Sequence, residues 1–266
     1  AILCGCRFMK NIIPTEKQPF DFGSMVLCAV SFSGLLLGLG NLGSGPFFSL
    51  TIALPLCLGV VFLLIFTYRQ LHLSYPLLEL RTLQNKDFRL AVILSMLMYA
   101  VMMAGSTLIP IYIQTVRGFS ATVSGLIMMP GSLVMSIISP FAGKFYDKFG
   151  IRKLAVWGSA CLAISCLGIS FLSEDTSIVY ITVFYILRLI AIGLMLMTIV
   201  TWGMSTLEEK YIAHGTALLT SLRTIAGAIG SAVFVALLTA VTITSSGGMN
   251  GTANIQGVNA AFISIT

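Results

Sequence analysis

Seven uninterrupted apolar stretches constrain this chain more than anything else in it. They run from about Phe22 to Gly40, Phe48 to Tyr68, Leu90 to Val116, Ala121 to Phe141, Leu154 to Leu172, Ile178 to Met204 and Ala213 to Thr244. As a helix, each is long enough to cross a hydrocarbon layer of about 30 Å. Runs such as VVFLLIF and LIAIGLMLM are apolar on every face, whereas a barrel strand alternates polar and apolar over about ten residues. A chain that is 57% hydrophobic, 9% charged and of mean hydropathy +0.99 has too much apolar surface for a water-soluble core to hide. The expected fold is therefore an all-α, multi-pass membrane bundle.

The distribution of positive charge sets the expected orientation. Counting the gaps alternately, one side holds Arg7, Lys10, Lys17, Arg69, Arg81, Lys86, Arg89, Lys144, Lys148, Arg152, Lys153 and Lys210, which are 12 of the 15 Lys and Arg. The other side holds Arg117, while Arg188 and Arg223 lie within spans or at their mouths. The start of the chain and the run GKFYDKFGIRK are thus expected in the cytoplasm, and the runs around Gly43, Glu174 and Gly248 outside. The net charge of +6 follows from this asymmetry and gives no footprint for nucleic acid. Both ends read as cut: AILCGC resembles the last turns of a preceding span, and VNAAFISIT the first turns of an eighth.

No catalytic pattern stands out. The six Cys lie in or beside apolar segments without a CxxC or a neighbouring His, which argues against a zinc cluster or a disulfide framework. His72 and His214 fall near span ends, and no paired carboxylates, nucleophilic triad or phosphate loop is present. No enzyme, cofactor or metal is expected.

The charged run Gly143 to Lys153 is the most specific motif. SPFAGKFYDKFGIRKL is similar to the G-x-L-x-D-R-x-G-R-K signature of the major facilitator superfamily, with Gly143, Asp147, Gly150, Arg152 and Lys153 in register. Glycines permit a tight reversal between two helices, and an acid at a helix end can meet a cation from a neighbour. PLLELRTLQNKDFRL, STLIPIYIQTVRGFSATVSGLIMMPGSL and SLRTIAGAIGSAV extend the resemblance, in order, to the fourteen-helix drug:H+ antiporter branch of the EmrB/QacA and lincomycin-resistance type.

That resemblance implies a C-terminal fragment. Residues 1–21 would hold the end of a preceding helix and a cytoplasmic connection, 22–68 two linker helices, 69–88 a second cytoplasmic connection, and 89–266 the C-terminal bundle without most of its last helix. It implies a cell-membrane secondary transporter that exports small amphipathic drugs or antibiotics by alternating access, driven by the proton gradient and completed by an N-terminal half. Other readings stay open: export of a lipid, amino acid or siderophore on the same scaffold, or a seven-span receptor or assembly protein that transports nothing.

Candidate functional residues follow from what is costly in lipid. Arg188, about ten residues into its span, is expected either to face a cavity and couple to substrate or proton, or to make a structural contact between helices. Pro110 loosens the span that carries Thr107 and Gln114, candidate cavity hydrogen-bonders, while Tyr99 and Met102 would supply an adaptable wall. Arg223, Gly227, Gly230 and Ala228 are expected at a helix-packing seam rich in small residues. All nine Asp and Glu fall in loops or at span ends, which places any coupling acid in the N-terminal half. The glycine-rich GLLLGLGNLGSGPFF only superficially echoes the antiporter signature of the family.

Overall fold

The computed structural model describes residues 21–41, 49–73, 79–173, 176–246, 258–260 and 262–263. The expectations for the AILCGC start, the external run around Gly43, Glu174 and the polar run ending at Gly257 lie outside these residues. Every regular element among them is helical. In order they are α1 (Phe22–Gly40), α2 (Leu50–His72), α3 (Lys86–Ile111, continued by a π turn over Tyr112–Val116), α4 (Ala121–Ile169), α5 (Ile178–Ser205) and α6 (Ile212–Ser246). Residues 258–260 and 262–263 are helical as well, with Val258 and Phe262 buried.

Polar residues fix the helix starts. Asp21, Ser49, Asn85, Ser120 and Ser177 each accept a hydrogen bond from a backbone N–H in the first turn of the helix that follows. Such caps satisfy donors that lipid would leave unpaired.

The 49-residue α4 is two spans. Gly150 alone interrupts it, at φ 72° and ψ 164°, a conformation essentially confined to glycine. Contacts with α5 show that the chain reverses there. Along the first arm, Gly131 meets Tyr185 and Leu189 while Gly193 meets Met135, so the numbers rise together. Along the second arm, Gly158 meets Met195 and Gly168 meets Phe184, so they run oppositely. The charged run Gly143 to Lys153 is therefore not an extended loop between spans: residues 143–149 and 151–153 stay helical, and Gly150 makes the turn. Helix continues past the apolar stretch because intrahelical hydrogen bonds are satisfied wherever the helix lies.

Large apolar side chains such as Leu37, Leu50, Leu64, Ile137 and Val179 point outward, while Ser24, Ser31, Ser95, Ser124, Ser165, Thr198 and Arg188 are buried. An apolar outer surface, with small and polar residues among those that meet inside, suits a bundle surrounded by lipid. One core joins α3, α4 and α5 through Leu108, Tyr112, Ile127, Cys166, Ile181 and Ile192. A second brings Phe66 of α2 against Phe88 and Val92 of α3 and Leu218 and Leu219 of α6.

α1 and α2 form a close pair. A Cβ at Gly34 would stand 2.8 Å from the Pro55 carbonyl oxygen, and one at Gly59 would stand 2.6 Å from the Leu35 nitrogen. The glycines at 34 and 59 are thus required by the crossing, which accounts physically for the first part of the GLLLGLG run. The rest of that run, from Leu42 to Phe48, lies outside the described residues.

The basic residues gather at one end of the bundle. Arg69 at the end of α2 binds Asp21 at the start of α1, with Nη2 to Oδ1 at 3.0 Å. Arg81 donates to the Leu71 carbonyl, and Asn85 at the start of α3 donates to the Thr206 carbonyl after α5. Since the first arm of α4 runs alongside α5, Lys144, Lys148, Arg152 and Lys153 around Gly150 belong to this end also. Arg117, beside the positive-φ Gly118, lies at the other.

Candidate functional site

Three helices carry polar or adaptable side chains at helical spacing on facing surfaces. On α6 these are Thr216, Thr220 and Arg223, separated by four and three residues; on the first arm of α4 they are Met135 and Ser139; on α5 they are Gly193, Met197, Val200 and Met204. They enclose an open cleft of about 270 Å³, completed by Leu196 and Leu219. The hydroxyls of Ser139 and Thr216 donate to carbonyls one turn back, at Met135 and Ile212. Their oxygens keep lone pairs for another donor. Methionine offers a wall that adapts its shape.

Arg223 is the one charged residue of this lining. Its guanidinium lies over the Tyr99 ring of α3, 5.3 Å from the centroid, and its Nε is buried with no hydrogen-bond partner among the described residues. One turn further, Gly227 sits against Tyr99 and Met103, and Gly230 against the backbone of Ala100. A Cβ at Gly227 would stand 2.7 Å from the Tyr99 ring, and one at Gly230 would stand 2.8 Å from the Ala100 backbone. Ala228 is half-buried on the same helix. Close approach of α3 and α6 is what sets the Arg223 side chain between the ring and the cleft.

Arg188 takes a different place. It is 1% exposed, in the packed interior between α3 and α5. Its Nη2 donates to the Val101 carbonyl, its guanidinium lies 5.6 Å from the centroid of Phe262, and Cys166 and Tyr185 lie alongside. Gly105 makes the room, because any Cβ there would fall on the guanidinium. The Nε of Arg188 has no partner among the described residues. Arg188 therefore takes the helix-to-helix contact of its two expected roles and does not line the cleft, while Arg223, expected at a seam, reaches both the seam and the cleft.

The remaining candidates are scattered. Thr107 donates to the Met103 carbonyl of its own helix at 3.1 Å, and Gln114 is exposed in the π turn that follows Pro110. Met102 packs against the α3–α4–α5 core. None of these three lines the cleft. Around the reversal, Asp147, Arg152 and Lys153 are exposed and Gly143 is half-buried. Among the described residues no ion pair involves Asp147.

Sequence reasoning passed over Ser139, Thr216, Thr220, Met135, Met197 and Met204. The signal was available as i, i+4, i+7 spacing: Ser132, Ser136 and Ser139 on α4, and Thr216, Thr220 and Arg223 on α6. Spacing alone does not say which polar face meets which.

The described residues contain no cluster of His, Cys, Asp or Glu able to hold a metal ion.

Comparison with known proteins adds the family. Residues 20–231 match the family described as the Major Facilitator Superfamily. An uncharacterized MFS-type transporter, YcnB of Bacillus subtilis (strain 168), is 34% identical over 96% of this chain and 54% of its own length. The lincomycin resistance protein LmrB of the same strain is 31% identical over 90% of this chain and 50% of its own length. LmrB of Listeria innocua is 30% identical over 90% and 51%, respectively. The chain thus spans about half the length of the curated relatives it matches.

Proposed function

The chain belongs to the Major Facilitator Superfamily, a family of membrane transporters rather than enzymes, and on that premise we propose that it works within a proton-coupled exporter of amphipathic drugs or antibiotics. The carrying observation is the cleft among α4, α5 and α6, with its methionines, its hydroxyls and the single cation Arg223. An apolar, adaptable wall with few polar groups admits many amphipathic shapes and orients them weakly. The relatives named for lincomycin resistance favour an antibiotic among the substrates.

In this reading the exporter is of the fourteen-helix type, with α1 and α2 as the linker pair and the remaining helices as one rocking bundle. The basic end around Gly150 faces the cytoplasm, following the charge asymmetry. The described Asp and Glu, namely Asp21, Glu79, Asp87, Asp147, Glu208 and Glu209, all sit at helix ends or in connections. The carboxylate that binds the transported proton is therefore assigned to the other half of the transporter, opposite the cleft. Alternating access would carry the cleft from one membrane face to the other, with Gly143, Asp147, Gly150, Arg152 and Lys153 at the helix reversal whose contacts exchange.

The test is lincomycin transport by the full-length protein in inverted membrane vesicles. Uptake driven by an acidic vesicle interior and abolished by a protonophore is the expected result. Uptake indifferent to the proton gradient would remove proton coupling, and no uptake of lincomycin or of amphipathic dyes would remove drug export.

A further inference from the structure

A second cavity, of about 400 Å³, lies at the Gly150 reversal and shares no lining residue with the cleft. Phe145 and Phe149 from the first arm of α4, Leu154 and Trp157 from the second, and Leu194 of α5 form its apolar walls, and Lys153 is its one charged lining residue. It opens outward. Trp157 is 72% exposed, and Phe145 and Phe149 are exposed as well.

A reversal between two spans has to lie at a membrane surface, so this cavity runs from the headgroup boundary at Lys153 into acyl-chain depth at Leu194 of α5. Aromatic side chains are favoured at that boundary. Phe145 and Phe149 stack with their centroids 6.2 Å apart, Lys148 lies 5.4 Å from the centroid of Phe149, and Lys144 lies 5.7 Å from that of Phe141. Lys153 is the cation in the recess itself, and Lys144, Lys148 and Arg152 share the same ten-residue reversal with the single carboxylate of Asp147. Among the described residues none of these cations has an ion-pair partner.

We propose that this recess is a binding site for an anionic phospholipid, which lays an acyl chain against Phe149 and Trp157 and sets its phosphate on Lys153 and Arg152. Charge complementarity selects the occupant. A zwitterionic lipid brings its own ammonium to a recess whose one charged residue is the cation Lys153, whereas phosphatidylglycerol brings net negative charge. The site is independent of what the cleft transports.

Trp157 supplies the probe. In the full-length transporter, with Trp202 and every other tryptophan outside position 157 replaced by Phe, fluorescence quenching is measured in bilayers of brominated phosphatidylglycerol mixed with phosphatidylcholine, and in the converse mixture. The expected result is a relative binding constant of about fivefold in favour of phosphatidylglycerol, the ratio that one cation near the surface supplies. In Lys153→Gln, and in the double variant with Arg152→Gln, the ratio should fall toward one, while quenching in pure brominated phosphatidylcholine stays as in the parent and shows that Trp157 still faces lipid. Equal quenching by the two lipids in the parent would overturn the proposal. So would a preference that survives both substitutions, since attraction would then belong to the surface at large.

Discussion

Two arginines of the same formal charge each lie over an aromatic ring with a buried Nε, yet only one of them reaches the cleft. Arg188 is enclosed, held by the Val101 carbonyl and faced by Phe262, in space that only Gly105 leaves free. Burying a cation in lipid is costly, and a carbonyl with an aromatic face recovers part of that cost. Arg223 instead keeps one side against Tyr99 and the other toward the cleft. Truncating Arg188 removes a large buried side chain and its helix-bridging hydrogen bond. Arg188→Ala should therefore cost about 3 kcal/mol of stability, read as a lower melting temperature in detergent, and Arg188→Lys should recover part of it because charge is kept while the guanidinium fork is lost. Export per folded molecule should hold up in Arg188→Ala. A well-folded variant that no longer transports would place Arg188 in the transport step itself. Sequence made both arginines visible as intramembrane charge. It did not show that Gly105, 83 positions earlier, shapes the space around the first.

Among elements, the spans were largely legible. Phe22 to Gly40 matches α1 to the residue, and Ile178 to Met204 misses α5 by one. Hydropathy finds such segments because each must be apolar over a membrane thickness. It misplaced the ends of α4's arms, since a helix that continues into the headgroup region acquires charge without losing its hydrogen bonds. The α1–α2 junction was not legible either, because its polar parts lie 48 positions apart. Asp21 accepts from Arg69 and from Ser24, and Gln70 donates to the Ser24 hydroxyl. The Ser24 hydrogen bonds, with Arg69 beside them, hold the Asp21 carboxyl down at about 2. A depressed carboxyl stabilises the folded state above its ordinary range and loses that contribution as pH falls through the folded value. Asp21→Asn should accordingly lower the melting temperature at pH 7, with the gap from the parent closing as pH is taken from about 4 toward 2. A gap that stays constant over that window would show that the carboxylate charge does not contribute to the α1–α2 pairing.

For the whole molecule, the apolar outer surface and the family match make this a bundle of a membrane transporter, about half the length of its relatives. Its described interior holds glycines and hydroxyls where helices meet, and its outer surface holds the large apolar side chains. The cleft lined by Arg223 is the feature on which the proposed solute route rests, and composition alone could not locate it. Its residues come from three helices, and only the fold brings Ser139, Met197 and Thr216 together. The most direct measurement is substrate protection of single cysteines in the full-length protein, with the native cysteines replaced. Ser139→Cys and Thr216→Cys report on the cleft, and Ser159→Cys, exposed on the second arm of α4 and outside the cleft lining, serves as control. If the cleft binds the exported compound, lincomycin should slow alkylation at 139 and 216 and leave 159 unchanged; equal alkylation rates at 139 and 216 with and without a compound that the protein demonstrably exports would contradict the assignment.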